Sequence, residues 1–322
     1  MQAIVQDKYG SGDALELRDI ERPETSEHEV LIRVCAAGVN PADWAVMSGL
    51  PYMARPVYGL RKPKTAVRGT DVAGRVEAVG SAVTRFKPGD EVFGASTGSY
   101  AEFAAAAEDQ LALKPANLTF EQAATVPMAG LVALQALRDR GNVRAGQKVL
   151  INGASGGVGT FAVQIAKALG AQVTAVASTR NVELMRSIGA DHVIDYTKQD
   201  FTKGNERYDF ILDNISNHSL SRLRAVLTDT GVLIPNGGNF GNRWFASAGR
   251  LLRGAVLFRL GGQKLGNFLV STNHADLVAL KDLIEAGKVT PVMGGTYPLS
   301  RTAEALDRIG RGHAQGKVVI SV

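Results

Sequence analysis

Cysteine is almost absent from this chain. Cys35 is the single cysteine among 322 residues, which excludes an intrachain disulfide and any site built from several thiolates, such as a structural zinc or an iron–sulfur centre. It ends the run Val30-Leu-Ile-Arg-Val-Cys, a pattern that indicates a buried strand. We therefore expect an ordinary core thiol at this position.

Long hydrophobic runs are missing as well. No apolar stretch approaches the ~20 residues that a membrane-spanning helix needs. The first residues, Met1-Gln-Ala-Ile-Val-Gln-Asp-Lys, show no basic-then-apolar signal pattern, and neither end carries a lipidation motif. We expect no membrane span and a cytoplasmic location.

A strong excess of one charge is also lacking. Lys and Arg number 36 against 31 Asp and Glu, which gives a net charge of +5, and no dense basic run stands out. Such a charge allows an anionic ligand, for example a phosphorylated cofactor, but we expect no nucleic-acid partner. With 45% hydrophobic and 21% charged residues, the composition is typical of globular proteins, and the length favours two domains.

The sequence pattern changes from one typical of β-strands to one that includes helices near position 118. The first third contains short Val-rich runs separated by Gly, Pro and Asp, which indicates β-structure. Thr119, with Gln122 three residues later, forms a capping-box pattern that predicts the start of a helix. From Lys148 onward strands and helices alternate, which predicts a doubly wound parallel sheet. The predicted strands are 149–151, 173–177, 193–194, 210–213 and 232–234, and the predicted helices are 158–169, 182–188 and 220–227.

The end of the chain has a mixed pattern. We predict a strand at 268–270, helices at 275–286 and 302–309, and a last strand at 317–322 that rejoins the N-terminal β-structure. The preceding segment, 239–266, mixes aromatic and leucine side chains with arginines. This mixture favours a substrate lid or a dimer contact, and we expect a homodimer; a buried connection and a membrane-docking helix are the alternatives.

A glycine-rich segment follows the first strand of the alternating region. The run Asn152-Gly-Ala-Ser-Gly-Gly-Val-Gly comes directly after that strand and opens an apolar-periodic helix. Glycines in this context let the backbone turn sharply and approach a pyrophosphate, which binds the free N–H groups at the positive end of the helix dipole. We predict dinucleotide binding here, and a tight structural turn is the alternative. The predicted contacts are Ser155, Gly156, Gly157, Val158 and Gly159.

The next strand ends in Ser178-Thr-Arg-Asn, about 20 residues beyond the loop. An NAD enzyme places Asp or Glu at this point to hold the ribose 2′-hydroxyl, and no acid stands here. Hydroxyls and a guanidinium suit a 2′-phosphate instead, so Ser178 and Arg180 predict NADPH rather than NADH. The alternative is that Ser178 and Thr179 cap the next helix while Arg180 is solvated.

Several segments together resemble the medium-chain dehydrogenase/reductase superfamily, and within it the zinc-independent quinone oxidoreductase branch that includes zeta-crystallin. A finer resemblance, to the subgroup of reticulon-4-interacting-protein-like oxidoreductases, depends on Leu212-Asp-Asn and on the motif around His313. The matching segments are 37–43, 69–76, 87–92, 123–130, 152–159 and 312–319.

The resemblance implies an α/β protein with a GroES-like β-rich catalytic domain and a Rossmann domain. The catalytic domain would comprise residues 1–121 and 268–322, the Rossmann domain residues 122–267, and the substrate would lie in the cleft between them. Zinc alcohol dehydrogenases of this superfamily have a Cys ligand where this chain has Asn40 and a His ligand where it has Thr70. We therefore expect no metal.

The resemblance also implies further cofactor contacts. Tyr196 matches a residue that reaches the 2′-phosphate, although without the family it is only an aromatic residue at a strand end. His313 and Lys317 lie in a segment similar to the loop that returns over the cofactor phosphates. Asn214 ends a strand at the carboxyl edge of the sheet, where it should face the cofactor.

Three residues are candidates for the catalytic step. Asn40 resembles the residue that hydrogen-bonds near the nicotinamide. Thr125 matches a position that contacts the carboxamide or the substrate, with a buried hydroxyl bonded to the backbone as the alternative. Tyr52 is the candidate proton donor, and an aromatic wall for a flat substrate is the alternative. Asp43 is read either as a base or as a helix N-cap.

These observations predict an NADPH-dependent oxidoreductase that transfers a hydride to a small electrophile. Without a Lewis acid the acceptor must delocalise the incoming charge, which quinones and α,β-unsaturated carbonyl compounds do. An enoyl-thioester reductase is the alternative within the enzymes. A non-catalytic NADPH-binding protein that senses redox state or binds RNA is the alternative outside them.

Overall fold

The structure, a computed structural model, describes residues 1–237, 254, 256–258, 261–266, 269–312 and 315–322. The chain divides into two compact units. Unit 1 comprises Met1–Leu131, Ser271–Gly287 and Pro291–Val322, and unit 2 comprises Val132–Val270 and Lys288–Thr290. Both ends of the chain therefore belong to unit 1. The functional domain boundaries given above stay a prediction.

The described residues form fifteen strands. They are β1 (Gln2–Val5), β2 (Glu16–Asp19), β3 (Glu29–Val39), β4 (Asp71–Val79), β5 (Glu91–Ala95), β6 (Phe103–Ala107), β7 (Leu111–Leu113), β8 (Lys148–Asn152), β9 (Gln172–Ala177), β10 (His192–Asp195), β11 (Tyr208–Asp213), β12 (Leu227–Pro235), β13 (Lys264–Leu265), β14 (Met293–Pro298) and β15 (Lys317–Ser321).

Nine α-helices have both of their ends within the described part of the chain. They are α1 (Pro41–Ser48), α2 (Arg55–Tyr58), α3 (Phe120–Ala124), α4 (Pro127–Leu134), α5 (Gly157–Ala168), α6 (Val182–Ser187), α7 (Leu220–Ala225), α8 (His274–Glu285) and α9 (Thr302–Gly310). A π-helical segment, Gln135–Arg140, follows α4 directly.

Unit 1 is built on a sheet in the order β14-β15-β3-β4-β5-β7, with β6 also paired to β3. Strand β3 alternates as a half-buried strand should: Val30, Ile32 and Val34 are buried, whereas Arg33 between them is exposed. The last strand, β15, pairs antiparallel with β3, with Val318 opposite Val39. The prediction that the C-terminal strand rejoins the N-terminal β-structure is therefore confirmed.

One helix of unit 1 departs from the β-rich pattern of the first third. Helix α1 begins at Pro41, with Asn40 as its N-cap residue, and the Asp43 carboxylate accepts the backbone N–H of Asn40 at 2.8 Å. The interpretation of Asp43 as the N-cap is wrong, because Asp43 is the third helical residue. Cys35 lies half-buried in β3, and burial raises the pKa of its thiol.

Unit 2 is built on a six-stranded sheet in the order β10-β9-β8-β11-β12-β13, and each pairing is parallel. Numbered from its first strand, this order is 3-2-1-4-5-6, that of a dinucleotide-binding doubly wound sheet. The central strand β8 is buried from Val149 to Asn152 and so on both of its sides, as the continuous apolar run in its sequence indicates. The predicted alternation of strand and helix is confirmed.

Two predictions concern the end of unit 2. Leu269 and Val270 carry no strand, and the side chain of Leu269 is 92% exposed, so the strand predicted at 268–270 is wrong in its described part. Most of the segment 239–266 lies outside the described residues, and His313 does too. Within the described chain, no helix combines the length and the apolar character needed to cross a membrane.

Candidate active site

The glycine-rich loop connects β8 to α5 within unit 2. Gly153 has a φ of +73°, the left-handed region that favours glycine, and Gly156 caps the N-terminus of α5. A Cβ on Gly159 would lie 2.3 Å from the carbonyl oxygen of Gly153. Glycine at this position therefore lets the first turn of the helix pack directly on the loop, as the strand–loop–helix pattern predicted.

The same loop fits a dinucleotide pyrophosphate. A Cβ on Gly156 would meet only the Gly153 carbonyl oxygen, at 3.5 Å, so the backbone is open to a group that approaches closely. Ser155, Gly157 and Val158 are half-buried like Gly156, and the first N–H groups of α5 have no acceptor within the helix. These donors and the helix dipole suit phosphate oxygens. The individual contacts of the predicted loop residues stay predictions.

The residues predicted to select NADPH lie in the turn after β9. Ser178 is half-buried, and its Oγ accepts a hydrogen bond from Asn181 Nδ2 at 3.2 Å. Arg180 is exposed in a short 3-10 turn. The Oδ1 atom of Asn181 is buried without a hydrogen-bond partner among the described residues. This turn therefore offers hydroxyl and guanidinium donors, as a 2′-phosphate site requires.

A carboxylate that the sequence analysis missed lies next to this turn. Asp195 Oδ2 accepts a hydrogen bond from Thr179 Oγ1 at 2.6 Å, and hydrogen bonds from Thr179 and Thr197 lower the pKa of Asp195 to about 2. Lys198 Nζ lies 3.6 Å from the same Oδ2. The parallel register of β10 and β9 sets Asp195 opposite Ala177, and a strand-pairing prediction could have found it.

Tyr196 follows Asp195 directly and extends into solvent. Its side chain is 53% exposed, and its backbone N–H donates to Ala177 O at 3.1 Å. The ring is therefore accessible beside the turn that holds Ser178 and Arg180. Its contact with a 2′-phosphate stays a prediction.

Asn214 belongs to a polar network at the carboxyl edge of the unit 2 sheet. Its Nδ2 donates to Asn152 O at 3.1 Å, and its Oδ1 accepts from Asn236 Nδ2 at 2.7 Å. Asn152 Nδ2 in turn donates to the buried carboxylate of Asp213 at 2.8 Å. Asn214 is thus held in place by its neighbours, and its contact with a cofactor stays a prediction.

A buried polar cluster lies in unit 1 around Asn40. Lys317 Nζ donates to Asn40 Oδ1 at 2.5 Å and to Val39 O at 3.2 Å, and it lies 3.5 Å from Asp71 Oδ2. The side chains of Lys317 and Asp71 are 5% and 0% exposed. Burial raises the pKa of Asp71, and the Lys317 ammonium opposes this rise. The cluster joins β3, β4 and β15.

The position of Lys317 differs from the predicted one. The resemblance implied a loop residue over the cofactor phosphates, but Lys317 begins β15 and its ammonium is bonded to three oxygens in unit 1. The reason is the pairing of β15 with β3, which carries the side chain inward beside Asp71. Its predicted partner His313 lies outside the described residues.

Asp43 forms a second buried carboxyl site near Asn40. Its Oδ2 accepts the Asn40 N–H and also the hydroxyl of the fully buried Tyr100, at 3.0 Å. Burial and, to a smaller extent, the negative charge of Asp71 raise the pKa of Asp43 to about 6. The acid–base role of Asp43 stays a prediction, and its carboxylate also completes the capping box of α1.

The surroundings of Thr125 match its alternative, a buried hydroxyl bonded to the backbone, whereas nothing tests the two interpretations of Tyr52. Thr125 is fully buried at the end of α3, and its Oγ1 donates to Gln122 O at 2.6 Å. Its hydroxyl hydrogen is therefore used, although the oxygen can still accept. The ring of Tyr52 lies in a short turn with the Arg55 guanidinium 4.6 Å from its centroid. Their roles toward cofactor or substrate stay predictions.

At the two positions that hold zinc ligands in the zinc alcohol dehydrogenases, this chain has side chains that do not suit a zinc ion. Asn40 Oδ1 is bonded to an ammonium, which repels a divalent cation, and Thr70 offers a neutral hydroxyl. The described residues contain no group of three or more His, Cys, Asp or Glu side chains with metal-site geometry. A metal ion is therefore not supported at Asn40 and Thr70.

Removal of metal ions should leave the predicted oxidoreductase activity unchanged. Because Lys317 already supplies the positive charge beside Asn40 and Asp71, the cluster has no place for zinc. The measurement is the rate of acceptor-dependent NADPH oxidation before and after dialysis against EDTA. Loss of activity that added zinc restores would contradict this expectation.

The elevated pKa of Asp43 should appear as a pH-dependent cost in stability. The pKa of Asp43 is 3.8 in the unfolded chain and about 6 in the fold, so the native state binds the proton more tightly between about pH 4 and pH 6. The free energy of unfolding therefore falls as the pH rises through this window. Relative to Asp43→Asn, the wild type should lose about 3 kcal/mol of unfolding free energy across that window. Urea unfolding at pH 4 to 7 measures it, and a pH-independent difference would contradict it.

Comparisons with known proteins identify the family to which this architecture belongs. Two sequence families match: an alcohol dehydrogenase GroES-like domain over residues 26–136 and a zinc-binding dehydrogenase over residues 188–320. The chain is 38% identical over 342 residues to the chloroplastic NADPH-dependent alkenal/one oxidoreductase of Arabidopsis thaliana, covering 99% of this chain and 79% of the relative. It is 36% identical over 359 residues to the mitochondrial NAD(P)H oxidoreductase RTN4IP1 of Homo sapiens, covering 100% and 89%.

A solved structure agrees with these relatives. The quinone oxidoreductase from Coxiella burnetii superposes with a TM-score of 0.85 at 31% identity and covers 100% of this chain and 99% of its own. The fold and the site thus define a two-unit dehydrogenase with a GroES-like and a Rossmann part. The chain belongs to the medium-chain dehydrogenase/reductase superfamily, in the branch of the quinone oxidoreductases and the RTN4IP1-like proteins.

Proposed function

We propose that this chain is a zinc-independent, NADPH-dependent oxidoreductase that reduces quinones or α,β-unsaturated carbonyl compounds. The observation that carries the proposal is the open glycine loop between β8 and α5 on a sheet of 3-2-1-4-5-6 order. Two of the relatives named above are named as NADPH-dependent or NAD(P)H oxidoreductases, and one of these two is named for alkenals and enones. NADPH, when bound, supplies the hydride of its nicotinamide.

The choice of acceptor follows from the chemistry of the Asn40 cluster. Since Asn40 and Thr70 replace the two expected ligands, the chain has no Lewis acid there to stabilise an alkoxide. The acceptor must therefore spread the incoming charge over its own conjugated system, as quinones and enones do. The residues of the chain then contribute by orienting the reactants and excluding water.

The proposed roles of the three candidate catalytic residues follow from their surroundings. Asn40 is held by Lys317, so its amide is oriented before a ligand binds, which suits positioning of the cofactor or acceptor. Thr125 has its oxygen left to accept a hydrogen bond. Tyr52 stays the proposed proton donor, and Asp43, with a pKa of about 6, is a second group able to hold that proton.

An acceptor panel tests the proposed function. NADPH oxidation is followed with 1,4-benzoquinone, a 2-alkenal and a crotonyl thioester, each against a reaction without acceptor. Acceptor-dependent oxidation with the quinone or the alkenal is expected. Oxidation with the thioester alone would instead support an enoyl-thioester reductase, and binding of NADPH without any acceptor-dependent oxidation would support a non-catalytic redox sensor.

Cofactor selectivity tests the assignment of the turn after β9. NADPH should bind at least ~10-fold more tightly than NADH, about 1.4 kcal/mol, because Ser178 and Arg180 offer donors to the extra phosphate. Arg180→Ala should reduce this preference by removing a charge-assisted hydrogen bond while the adenosine contacts remain. Fluorescence titration with both cofactors measures the ratio of dissociation constants.

Two further variants make this titration specific. Arg186→Ala removes an exposed arginine of α6 that is paired with Glu183, and it should leave the preference unchanged. Asp195→Asn removes a negative charge beside Thr179, so it should increase the preference for NADPH. Equal wild-type affinities for the two cofactors would refute the assignment.

The proposal includes a homodimer that acts in the cytoplasm on a small electrophile. The family resemblance supports the dimer, whereas relatives are named as mitochondrial or chloroplastic proteins, so the cytoplasmic location is an independent part of the proposal. Light scattering coupled to size-exclusion chromatography measures the oligomeric state. A fluorescent fusion expressed in the source cells shows the cellular location.

A further inference from the structure

The strand order of the unit 2 sheet reverses between β8 and β11. In doubly wound sheets a dinucleotide binds in the crevice outside the carboxyl ends of the strands at such a reversal. The last residues of these two strands, Asn152 and Asp213, lie opposite each other in the parallel register, and they are 3% and 0% exposed. These two buried side chains therefore lie at the base of the predicted NADPH crevice.

One oxygen of the Asp213 carboxylate holds the beginnings of two loops together. Its Oδ1 accepts hydrogen bonds from Asn152 Nδ2 at 2.8 Å and from the backbone N–H of Ser216 at 3.0 Å. The backbone N–H of Ile215 donates to the same oxygen at 3.4 Å. Asn152 directly precedes the glycine loop, whereas Ile215 and Ser216 belong to residues 214–217, which follow β11 and are called the β11 loop below. Asp213 thus ties the β11 loop to the glycine loop.

The β11 loop also lies directly on the glycine loop. A Cβ on Gly153 would lie 2.7 Å from both Cδ1 and Cγ1 of Ile215, so the Ile215 side chain packs against the Gly153 backbone. The backbone N–H and the Nδ2 of Asn214 both donate to Asn152 O, at 3.2 and 3.1 Å. A displacement of the β11 loop would therefore be transmitted to the glycine loop, whose backbone suits the pyrophosphate.

Ser216 shows that the β11 loop is held in a conformation that its own residues do not favour. Its φ is +61°, in the left-handed region that is costly for residues other than glycine. Such a backbone persists only where the surroundings over-determine it, and it is concentrated at ligand sites. Asp213 accepts the Ser216 N–H, and Ser216 Oγ donates to Gly237 O at 3.0 Å. These bonds keep the β11 loop in its position.

We propose that Asp213 is a positioning residue for NADPH. Its carboxylate holds the β11 loop on the glycine loop before the cofactor binds, so the N–H groups of the glycine loop are already in place for the pyrophosphate. Asp213 acts through these two loops and does not itself contact the cofactor. The inference rests on the NADPH site of the proposed function and is independent of the acceptor.

Two carboxylates of the same strand test the proposal. Asp209 lies near the other end of β11 and also bonds to β8, because its Oδ2 accepts the N–H of Lys148 at 2.9 Å. Asp213→Ala should raise the dissociation constant of NADPH at least ~10-fold, whereas Asp209→Ala, the matched control, should change it less than ~2-fold. Asp213→Asn keeps an oxygen that can accept the three bonds and should bind NADPH at least ~3-fold more tightly than Asp213→Ala.

Fluorescence titration measures these dissociation constants, and urea unfolding measures the stability of each variant. An unchanged dissociation constant in Asp213→Ala would overturn the proposal. Equal weakening in Asp213→Ala and Asp209→Ala would overturn it too, because the effect would then come from impaired pairing of β8 with β11.

Substitutions of Ser216 test the β11 loop without altering the strand. Ser216→Gly and Ser216→Val lose the same hydroxyl, but only glycine adopts a φ of +61° readily. Ser216→Val should therefore release the β11 loop from Asp213 and raise the dissociation constant of NADPH at least ~10-fold, whereas Ser216→Gly should stay within ~3-fold of the wild type. Ser216 lies outside β11, so this pair should fold even if Asp213→Ala does not. Equal affinities of the two variants would contradict the proposed role of the loop.

Hydrogen exchange distinguishes a positioning role from a general loss of structure. The N–H groups of Ile215 and Ser216 should exchange slowly in the wild type without cofactor, because Asp213 accepts them. Mass spectrometry of a peptide that contains both should show faster exchange in Asp213→Ala than in Asp209→Ala. Equal exchange of this peptide in the wild type and in Asp213→Ala would overturn the proposal.

The outcomes also separate this inference from the proposed function. The expected affinity changes without turnover of any acceptor would contradict the proposed reaction only. Turnover of a quinone or an alkenal by an Asp213→Ala variant that binds NADPH as tightly as the wild type would contradict the positioning role only.

Discussion

Replacing Lys317 by methionine is expected to lower the free energy of unfolding by about 3–5 kcal/mol. The Lys317 side chain is 5% exposed, and its ammonium is bonded to Asn40 Oδ1 and Val39 O and lies 3.5 Å from Oδ2 of the fully buried Asp71. Without it, the Asp71 carboxylate is left as an uncompensated buried charge, and the Asn40 amide loses the group that orients it. Urea unfolding at neutral pH measures the change.

Two comparisons show whether the effect comes from the buried charge. Lys281→Met removes a cation from the partly exposed Lys281–Glu285 pair on α8 and should cost less than about 1 kcal/mol. Adding Asp71→Asn to Lys317→Met neutralises the stranded carboxylate and should recover at least about 1 kcal/mol. If Lys317→Met is no more destabilising than Lys281→Met, the cluster does not hold the three strands together as described.

Gly159→Ala is expected to weaken NADPH binding by roughly 100-fold, about 2.7 kcal/mol. The added Cβ would lie 2.3 Å from Gly153 O and 2.6 Å from two backbone atoms of Ala154, so the loop itself must move. That movement displaces the N–H groups that receive the pyrophosphate. The same overpacking should cost about 1–3 kcal/mol in stability.

Two glycine variants separate loss of the site from loss of the fold. Gly156→Ala adds a Cβ with only an ordinary contact at 3.5 Å, so stability should be kept while NADPH affinity falls, because the methyl group occupies space that the pyrophosphate approaches. Gly204→Ala adds a similar ordinary contact at 3.6 Å away from the loop and should change neither quantity. Unchanged NADPH affinity in both loop variants would contradict the cofactor site.

Local patterns predicted much of the fold. The Gly-rich run from Asn152, the capping box of Thr119 and Gln122, and the alternation of strand and helix each depend on neighbours within a few residues, and the structure has each of them. Helix α1 was not predicted as an element. Its eight residues make only about two turns, which are too few to show a helical spacing of apolar residues beside the Val-rich strands. The strand at 268–270 failed because an apolar run alone does not supply a pairing partner.

Long-range contacts explain the parts of the site that the sequence could not show. Lys317 lies 277 residues from Asn40 and 246 from Asp71, so its burial follows only from the pairing of β15 with β3. Asp195 reaches Thr179 through the register of two parallel strands. Arg68 has no motif around it, and its burial, at 5% exposed, is a property of the folded chain alone.

Transfer of deuterium from labelled NADPH tests the central claim most directly. NADPH carrying deuterium at either face of nicotinamide C4 is incubated with the protein and (E)-4-oxopent-2-enoate or a 2-alkenal, and the product is analysed by mass spectrometry and NMR. One of the two labelled cofactors is expected to deliver a single deuterium to the former alkene carbon that is β to the ketone or aldehyde carbonyl. A reduced product without deuterium from either cofactor, or no reduced product with any acceptor, would contradict it.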